Sequence, residues 1–153
     1  MSVAASSRRV VIGRPVVDWT AEMMGENVVF GAAVGFGVEE DGKIIAGVVF
    51  DDYNGVNINM HVASDGTKRW MNREILWMVF DYAFNQCKVN RITGLVGEGN
   101  IAARTFDEHI GFTLETTLKA AHPTGDLLVY RMFRDECRWL RMSYGKAKRT
   151  AAA

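Results

Sequence analysis

Three short stretches of this 153-residue chain carry side chains able to do chemistry. The first runs from Asn100 to Phe112, behind an extended-looking run from Arg91 to Val96. Asn100 stands where a helix would begin. Its amide can cap that helix, or cap it and also hold a ligand amide. The second stretch is Val62–Arg73, where a strand leaves into a Gly66-containing loop and a long helix soon begins. Free backbone N–H groups and the positive end of a helix dipole would favour an anion there. Lys68, Arg69 and Arg73 add local positive charge. The competing reading is a solvated basic turn that merely starts a helix. No Gly-Lys-Ser/Thr run or Gly-x-Gly-x-x-Gly fingerprint is present, which excludes a Walker-type loop.

The third stretch is the strand Val56–Ala63. Alternation places Asn57, Asn59, His61 and Ala63 on one face, and Val56, Ile58, Met60 and Val62 on the other. The apolar set reads as core. The polar stripe suits a cleft, or simply faces water. Glu98, between two glycines at the end of the fifth strand, is either a second titratable site group or an exposed turn carboxylate. Asp51, Asp52 and Tyr53, at a hairpin end, could hold a cationic acceptor but read first as turn residues; His109 reads as structural beside a helix end, and His122 carries no specific signal.

The elements that must position these groups follow from periodicity and turn chemistry. A short strand at Arg9–Ile12 precedes a helix from Pro15 to Met24, with proline near its start and Gly25 past its end. Strands at Phe30–Glu39, Lys43–Asp52 and Val56–Ala63 follow, joined through Asp41-Gly42 and Asn54-Gly55. Both dipeptides favour tight hairpin turns. Trp70, Ile75, Leu76, Val79, Phe80 and Phe84 then mark the apolar face of a helix ending near Gln86. A strand at Arg91–Val96, a helix at Asn100–Ile110 and strands at Phe112–Lys119 and Leu127–Phe133 complete the set. Asp135–Met142 is expected to form a terminal helix. The order β-α-β-β-β-α-β-α-β-β describes an α+β domain, a mixed and mostly antiparallel sheet of about six or seven strands flanked by helices. One domain spans residues 1–144, and residues 145–153 form a flexible basic tail.

Composition narrows the function. Zero net charge gives the molecule no electrostatic reason to seek nucleic acid or an anionic membrane. No apolar run approaches the roughly 18 residues a membrane helix needs, and the N-terminus lacks the apolar core of a secretory signal. Cys87 and Cys137 show no metal-ligand spacing and read as free thiols in a reducing cytoplasm.

Asn100-x-x-Ala103, followed by Ile110-Gly111-Phe112, resembles the Asn-x-x-Ala helix and Gly-Phe ending of the GNAT superfamily of acetyl-CoA-dependent N-acyltransferases. By element order the resemblance extends from about Arg9 to Phe133. Gly125 to Tyr130 and Glu136 to Leu140 are similar to small phage- and bacterium-encoded members, near the ribosomal-protein N-acetyltransferase branch. The resemblance implies that the fourth and fifth strands splay apart around the pantetheine arm of acetyl-CoA. Backbone groups of Met60, Val62 and Ala63 would then bond the pantetheine amides. The loop of Gly66, Thr67, Lys68, Arg69, Trp70, Met71 and Asn72 would take the pyrophosphate, and Asn100 the pantetheine or its thiol end.

Two departures stand out. The family loop usually carries glycines where this chain has Trp70 and Asn72, so side chains must be tolerated or Lys68 and Arg69 must compensate. Many members place a proton-donating Tyr five residues before the final Phe. Here Asp107 stands there, and it would be ionised near neutral pH unless strongly perturbed. The expected reaction is direct acetyl transfer to a primary amine. His61 or Glu98 would serve as base or relay, and backbone N–H near Val62 would hold the oxyanion. Only about 15 residues separate the first two strands, where the family usually places two helices. That predicts an open acceptor site or one completed by a second subunit in a homodimer. The alternative is a GNAT-fold module that binds CoA or protein without catalysis.

Overall fold

Turn chemistry lays out the first half of the sheet. The computed structural model describes residues 7–25, 27–67 and 70–141. After β1 (Arg8–Ile12) and α1 (Arg14–Met24), strands β2 (Ala33–Glu40) and β3 (Lys43–Asp51) meet across Asp41-Gly42. Asp41 (φ 52°) and Gly42 (φ 83°) are both left-handed, as a two-residue hairpin turn with right-handed strand twist requires. The next connection departs from expectation. β3 and β4 (Asn57–Ser64) are joined by five residues, 52–56, with Asp52 left-handed at φ 53°. Asn54 Oδ1 accepts from the backbone N–H of Val56 and Asn57, so its side chain builds the bend. The longer loop shifts the register so that Asp51 pairs with Asn59. A two-residue Asn54-Gly55 turn would have paired it with Ile58, on the core face.

The second half alternates strands and helices: α2 (Arg73–Asp81), β5 (Arg91–Gly97), α3 (Ile101–Ile110), β6 (Thr113–His122) and β7 (Gly125–Phe133). The seven strands lie in the order β1-β2-β3-β4-β5-β7-β6, with only β4 and β5 paired parallel. α2 and α3 pack on one face, burying Ile75, Phe80 and Ile110 with Val48, Phe50 and Ile92. α1 covers the other face over β2 and β3. It sits so close that a Cβ on Gly37 would meet Val16 at 2.9 Å, and one on Gly47 would collide with Thr20. The strand expected from Phe30 begins only at Ala33. Phe30 instead anchors the α1–β2 connection, buried with Val17 and Val49.

Two helical expectations change. α2 ends at Asp81 and widens into a π turn, Tyr82–Gln86. No terminal helix forms in its described part: two 3-10 turns, Arg134–Glu136 and Arg138–Arg141, are separated by extended, buried Cys137. That break lets Arg138 and Trp139 donate to the carbonyls of His109 and Ile110, at 2.5 and 2.8 Å. These are last-turn carbonyls of α3, which have no partner within the helix. Met142 and the expected 145–153 tail lie outside the described residues. No helix among the described residues is long and apolar enough to cross a membrane.

Candidate active site

The site is built on a break in the parallel pair. β4 and β5 pair only from Asn57↔Arg91 to Met60↔Gly94. Both strands run on, to Ser64 and Gly97, without pairing each other, while β4 stays paired to β3 and β5 to β7. Past Met60 and Gly94 the strands therefore part, and each turns an unpaired backbone edge toward the gap. Such edges can accept the amides of an extended ligand arm. Met60 sends its side chain into the core and Val62 packs on the same cluster, whereas His61 and Ala63 are half-buried on the opposite face.

His61 is the first β4 residue past the last paired position. Its Nε2 lies 2.7 Å from Oδ1 of Asp51, and its ring centroid 5.0 Å from that of Phe30. Asp51 and His61 are diagonal neighbours across β3 and β4, a contact that the shifted register creates. A carboxylate only accepts, so Nε2 donates and Nδ1 is left as the basic nitrogen. Phe30 is held in place by Arg14, whose guanidinium donates to the carbonyls of Phe30 and Gly31 at 3.2 and 2.9 Å. The His61 side chain is 12% exposed, covered yet reachable. The polar stripe continues through Asn57 and Asn59, with Thr93 donating to Asn57 at 2.5 Å. Reading Asp51 as a turn residue missed this pairing, because the tight turn assigned to Asn54-Gly55 carried the wrong register.

On the helix face, Asp107 points at the same break. It is the one charged residue among the buried ones described, 7% exposed, and its Oδ2 lies 3.4 Å from where a Cβ on Gly94 would sit. Burial, with the charge of Glu108 as a smaller cause, pushes its carboxyl from 3.8 up to about 7. Among the described residues no hydrogen bond to the carboxyl offsets the cost of burying its charge. Such a shift is the strong perturbation without which Asp107 would be ionised near neutral pH.

The proposed phosphate loop fits less simply. The N–H groups of Gly66 and Thr67 donate to Ser64 and Asp65 side chains, at 3.2 and 3.0 Å, rather than standing free. Lys68 and Arg69 lie outside the described residues. Trp70, 3% exposed, turns inward against Phe106 with ring centroids 5.5 Å apart, and Met71 packs beside it. The bulk that replaces the first glycine is therefore in the core. Asn72 caps α2 by accepting from Ile75 N–H at 2.9 Å. Asn100 caps α3 in the same way, accepting from Ala103 N–H at 3.1 Å, with Ala103 packed on the core. The capping use of Asn100 is thus realised, while its exposed amide nitrogen has no partner among the described residues.

Glu98 is exposed just past the end of β5, with its carboxyl against Gly125 at the start of β7. No hydrogen bond joins it to His61 among the described residues, so the two candidate bases are not brought together. His122, which carries no specific signal in the sequence, has a defined place. Its ring lies over Gly97, where a Cβ would meet Nε2 at 2.7 Å, and its Nδ1 accepts from Thr124 N–H at 3.2 Å. Nothing in the sequence near Pro123 signals that contact, which arises from the β6–β7 turn folding over the end of β5.

Comparison with known proteins agrees with this geometry. The fold is similar to the spermidine/spermine N-acetyltransferase SpeG from Vibrio cholerae, with a TM-score of 0.65 at 16% identity, covering 90% of this chain and 96% of that one. It is also similar to the ribosomal-protein-S18-alanine N-acetyltransferase from Escherichia coli, with a TM-score of 0.63 at 15% identity, covering 83% and 94%. At such identities the likeness speaks to the fold. Among curated proteins no significant sequence match is found. A family model described as an acetyltransferase (GNAT) domain matches residues 17–126, and the chain belongs to that family of N-acetyltransferases.

Proposed function

We propose that this protein transfers an acetyl group from acetyl-CoA directly to a primary amine, the two substrates meeting at the break between β4 and β5. The observation that carries the reading is the His61–Asp51 pair at the first unpaired position of β4. Acetyl-CoA supplies an activated acyl group as a thioester. The unpaired edges at 61–64 and 95–97 suit its extended arm, and the starts of α2 and α3 lie at the wide end of the gap. Asn100 offers its amide nitrogen there.

On the opposite face His61 does the proton work. An alkylamine is mostly charged at neutral pH and must lose a proton before it attacks. Asp51 holds Nε2, so Nδ1 accepts that proton directly or through water. Glu98, lying against the start of β7, becomes the second candidate. The structural relatives are named for spermidine/spermine and for the alanine of a ribosomal protein, which suits an amine acceptor. One helix and a pinned connection stand before β2, an arrangement that suits an open acceptor side or one closed by a second copy.

A non-catalytic CoA-binding module is favoured by one observation, the capture of Gly66 and Thr67 N–H groups by neighbouring side chains. Two measurements separate the readings. Acetyl-CoA at about 100 times its Kd stabilises a binding-competent fold by about 2.7 kcal/mol and raises Tm. No shift at millimolar concentration removes both CoA-dependent readings. Given a shift, thiol release across peptides, polyamines and aminoglycosides identifies the enzyme, and silence across that panel favours the module.

A further inference from the structure

We propose that Arg14 is a positioning residue for the transfer: it clamps the connection between α1 and β2, which sets the Phe30 ring against His61 and fixes the imidazole. The inference rests on the acetyl-transfer reading above, with His61 as the base. Asp51 holds one atom of that ring, Nε2, at 2.7 Å. One hydrogen bond leaves the ring free to swing about it, whereas a base must keep its nitrogen within hydrogen-bond reach of the amine. A second contact, with the ring itself, removes that freedom. Phe30 supplies it, with ring centroids 5.0 Å apart and planes tilted by 53°.

Phe30 lies in residues 27–32, which form neither helix nor strand. Among the described residues, the hydrogen bonds that reach Phe30 and Gly31 from another element come from Arg14. Its Nη1 donates to the carbonyl of Gly31 at 2.9 Å, and its Nη2 to that of Phe30 at 3.2 Å. A guanidinium suits this task, because its rigid fork spans two neighbouring carbonyls at once. Its Nε donates to Asp18, one turn along α1, at 2.9 Å. The platform beneath Arg14 is firm. Gly13 N–H donates to the Gly35 carbonyl at 3.0 Å, and a Cβ on Gly35 would meet the Gly13 oxygen at 3.1 Å, so the start of α1 is seated on β2.

The far end of the clamp meets the site. Phe30 is 6% exposed and buried with Val17 and Val49, and Val49 is the cross-strand partner of His61. Contacts therefore run without a gap from the start of α1 through Arg14 and Phe30 to the imidazole. Arg14 acts through those two side chains. Misplacing a reacting group by about 1 Å can cost about 100-fold in rate, so loosening this connection has a kinetic signature.

The test uses the full chain, an active amine, and the variants Arg14→Met, Arg14→Lys and Asp18→Asn. Arg14→Met keeps an apolar stem and removes every donor. It is expected to lower kcat about tenfold while KM for acetyl-CoA and the acetyl-CoA-induced rise in Tm persist. Arg14→Lys, able to reach one carbonyl, recovers part of the rate. Asp18→Asn keeps the rate, since it removes only an exposed ion pair. Adding Arg14→Met to His61→Ala lowers kcat no further than His61→Ala alone, because one effect runs through the other. The chain has three histidines, so His61 is assigned in an imidazole NMR spectrum by the signal that His61→Ala loses. The Phe30 ring current displaces that signal, and Arg14→Met moves it toward an unstacked imidazole while His109 and His122 stay. Wild-type kcat in Arg14→Met overturns the proposal, as do an unmoved His61 signal and losses that multiply with His61→Ala. Loss of the acetyl-CoA-induced Tm rise overturns it too, since that marks a structural role. Should Arg14→Met fail to fold, Arg14→Lys decides: an intermediate kcat and signal support the clamp, and wild-type values of both sink it. A wild type that binds acetyl-CoA yet acetylates no amine overturns the function reading and this one with it, and that failure is visible without any variant.

Discussion

The two faces of the sheet at the β4–β5 break hold one aspartate each, in opposite surroundings. On the α1 face Asp51 lies 2.7 Å from His61 Nε2 amid amide and hydroxyl side chains. On the helix face Asp107 is buried with no hydrogen bond to its carboxyl among the described residues, and desolvation pushes it up to about 7. Identical side chains therefore suit different work. The paired one lies against an imidazole, and burial pushes the other toward its protonated form. Environment sets the chemistry, and the break in strand pairing brings both environments to one place.

The comparison can be broken most sharply through stability. In the folded state Asp107 holds its proton from 3.8 up to about 7, so its contribution is full below about pH 4 and is lost as pH rises to about 7. That gap corresponds to at most about 4 kcal/mol. Denaturant melts of Asp107→Asn and wild type are expected to diverge in the variant's favour between pH 4 and pH 8. Parallel curves would mean that Asp107 is solvated and the asymmetry is gone.

The next effect is catalytic. His61→Ala is expected to lower kcat about 100-fold, equivalent to about 2.7 kcal/mol, and to leave the acetyl-CoA-induced Tm rise in place. Unchanged kinetics would hand the base role to Glu98 or water. Asp51→Asn keeps the shape but offers His61 a neutral amide, and a loss of about tenfold in kcat with little change in KM is expected. If it costs nothing, Asp51 is a bystander and the α1 face loses half of its description. The smallest effect belongs to Asn100→Ala, which removes the α3 cap for about 1 kcal/mol and weakens acetyl-CoA binding. Reduced Tm with unaltered acetyl-CoA affinity would leave Asn100 a cap alone.

Much of the fold was legible in the chain. Asp41-Gly42, the apolar spacing from Ile75 to Phe84 and the Gly111-Phe112 ending each act locally, through backbone preference or periodicity. Element order and the polar face of β4 follow from such signals. Terminal 3-10 turns were not legible, because Arg138 and Trp139 are placed by the α3 carbonyls they serve. Trp70 could be seen to replace a glycine, but not to turn its indole inward against Phe106.

The site divides in the same way. Sequence alone determined which residue types stand at the strand ends, that His61 faces away from the core and that Asn100 begins a helix. Only the tertiary structure decided that Asp51 reaches His61, since one residue of hairpin register separates the polar face from the core face. It also decided that Asp107 loses its water and lies against Gly94. Burial depends on what three separate segments, β5, α3 and β7, remove from solvent together, and no local pattern encodes that.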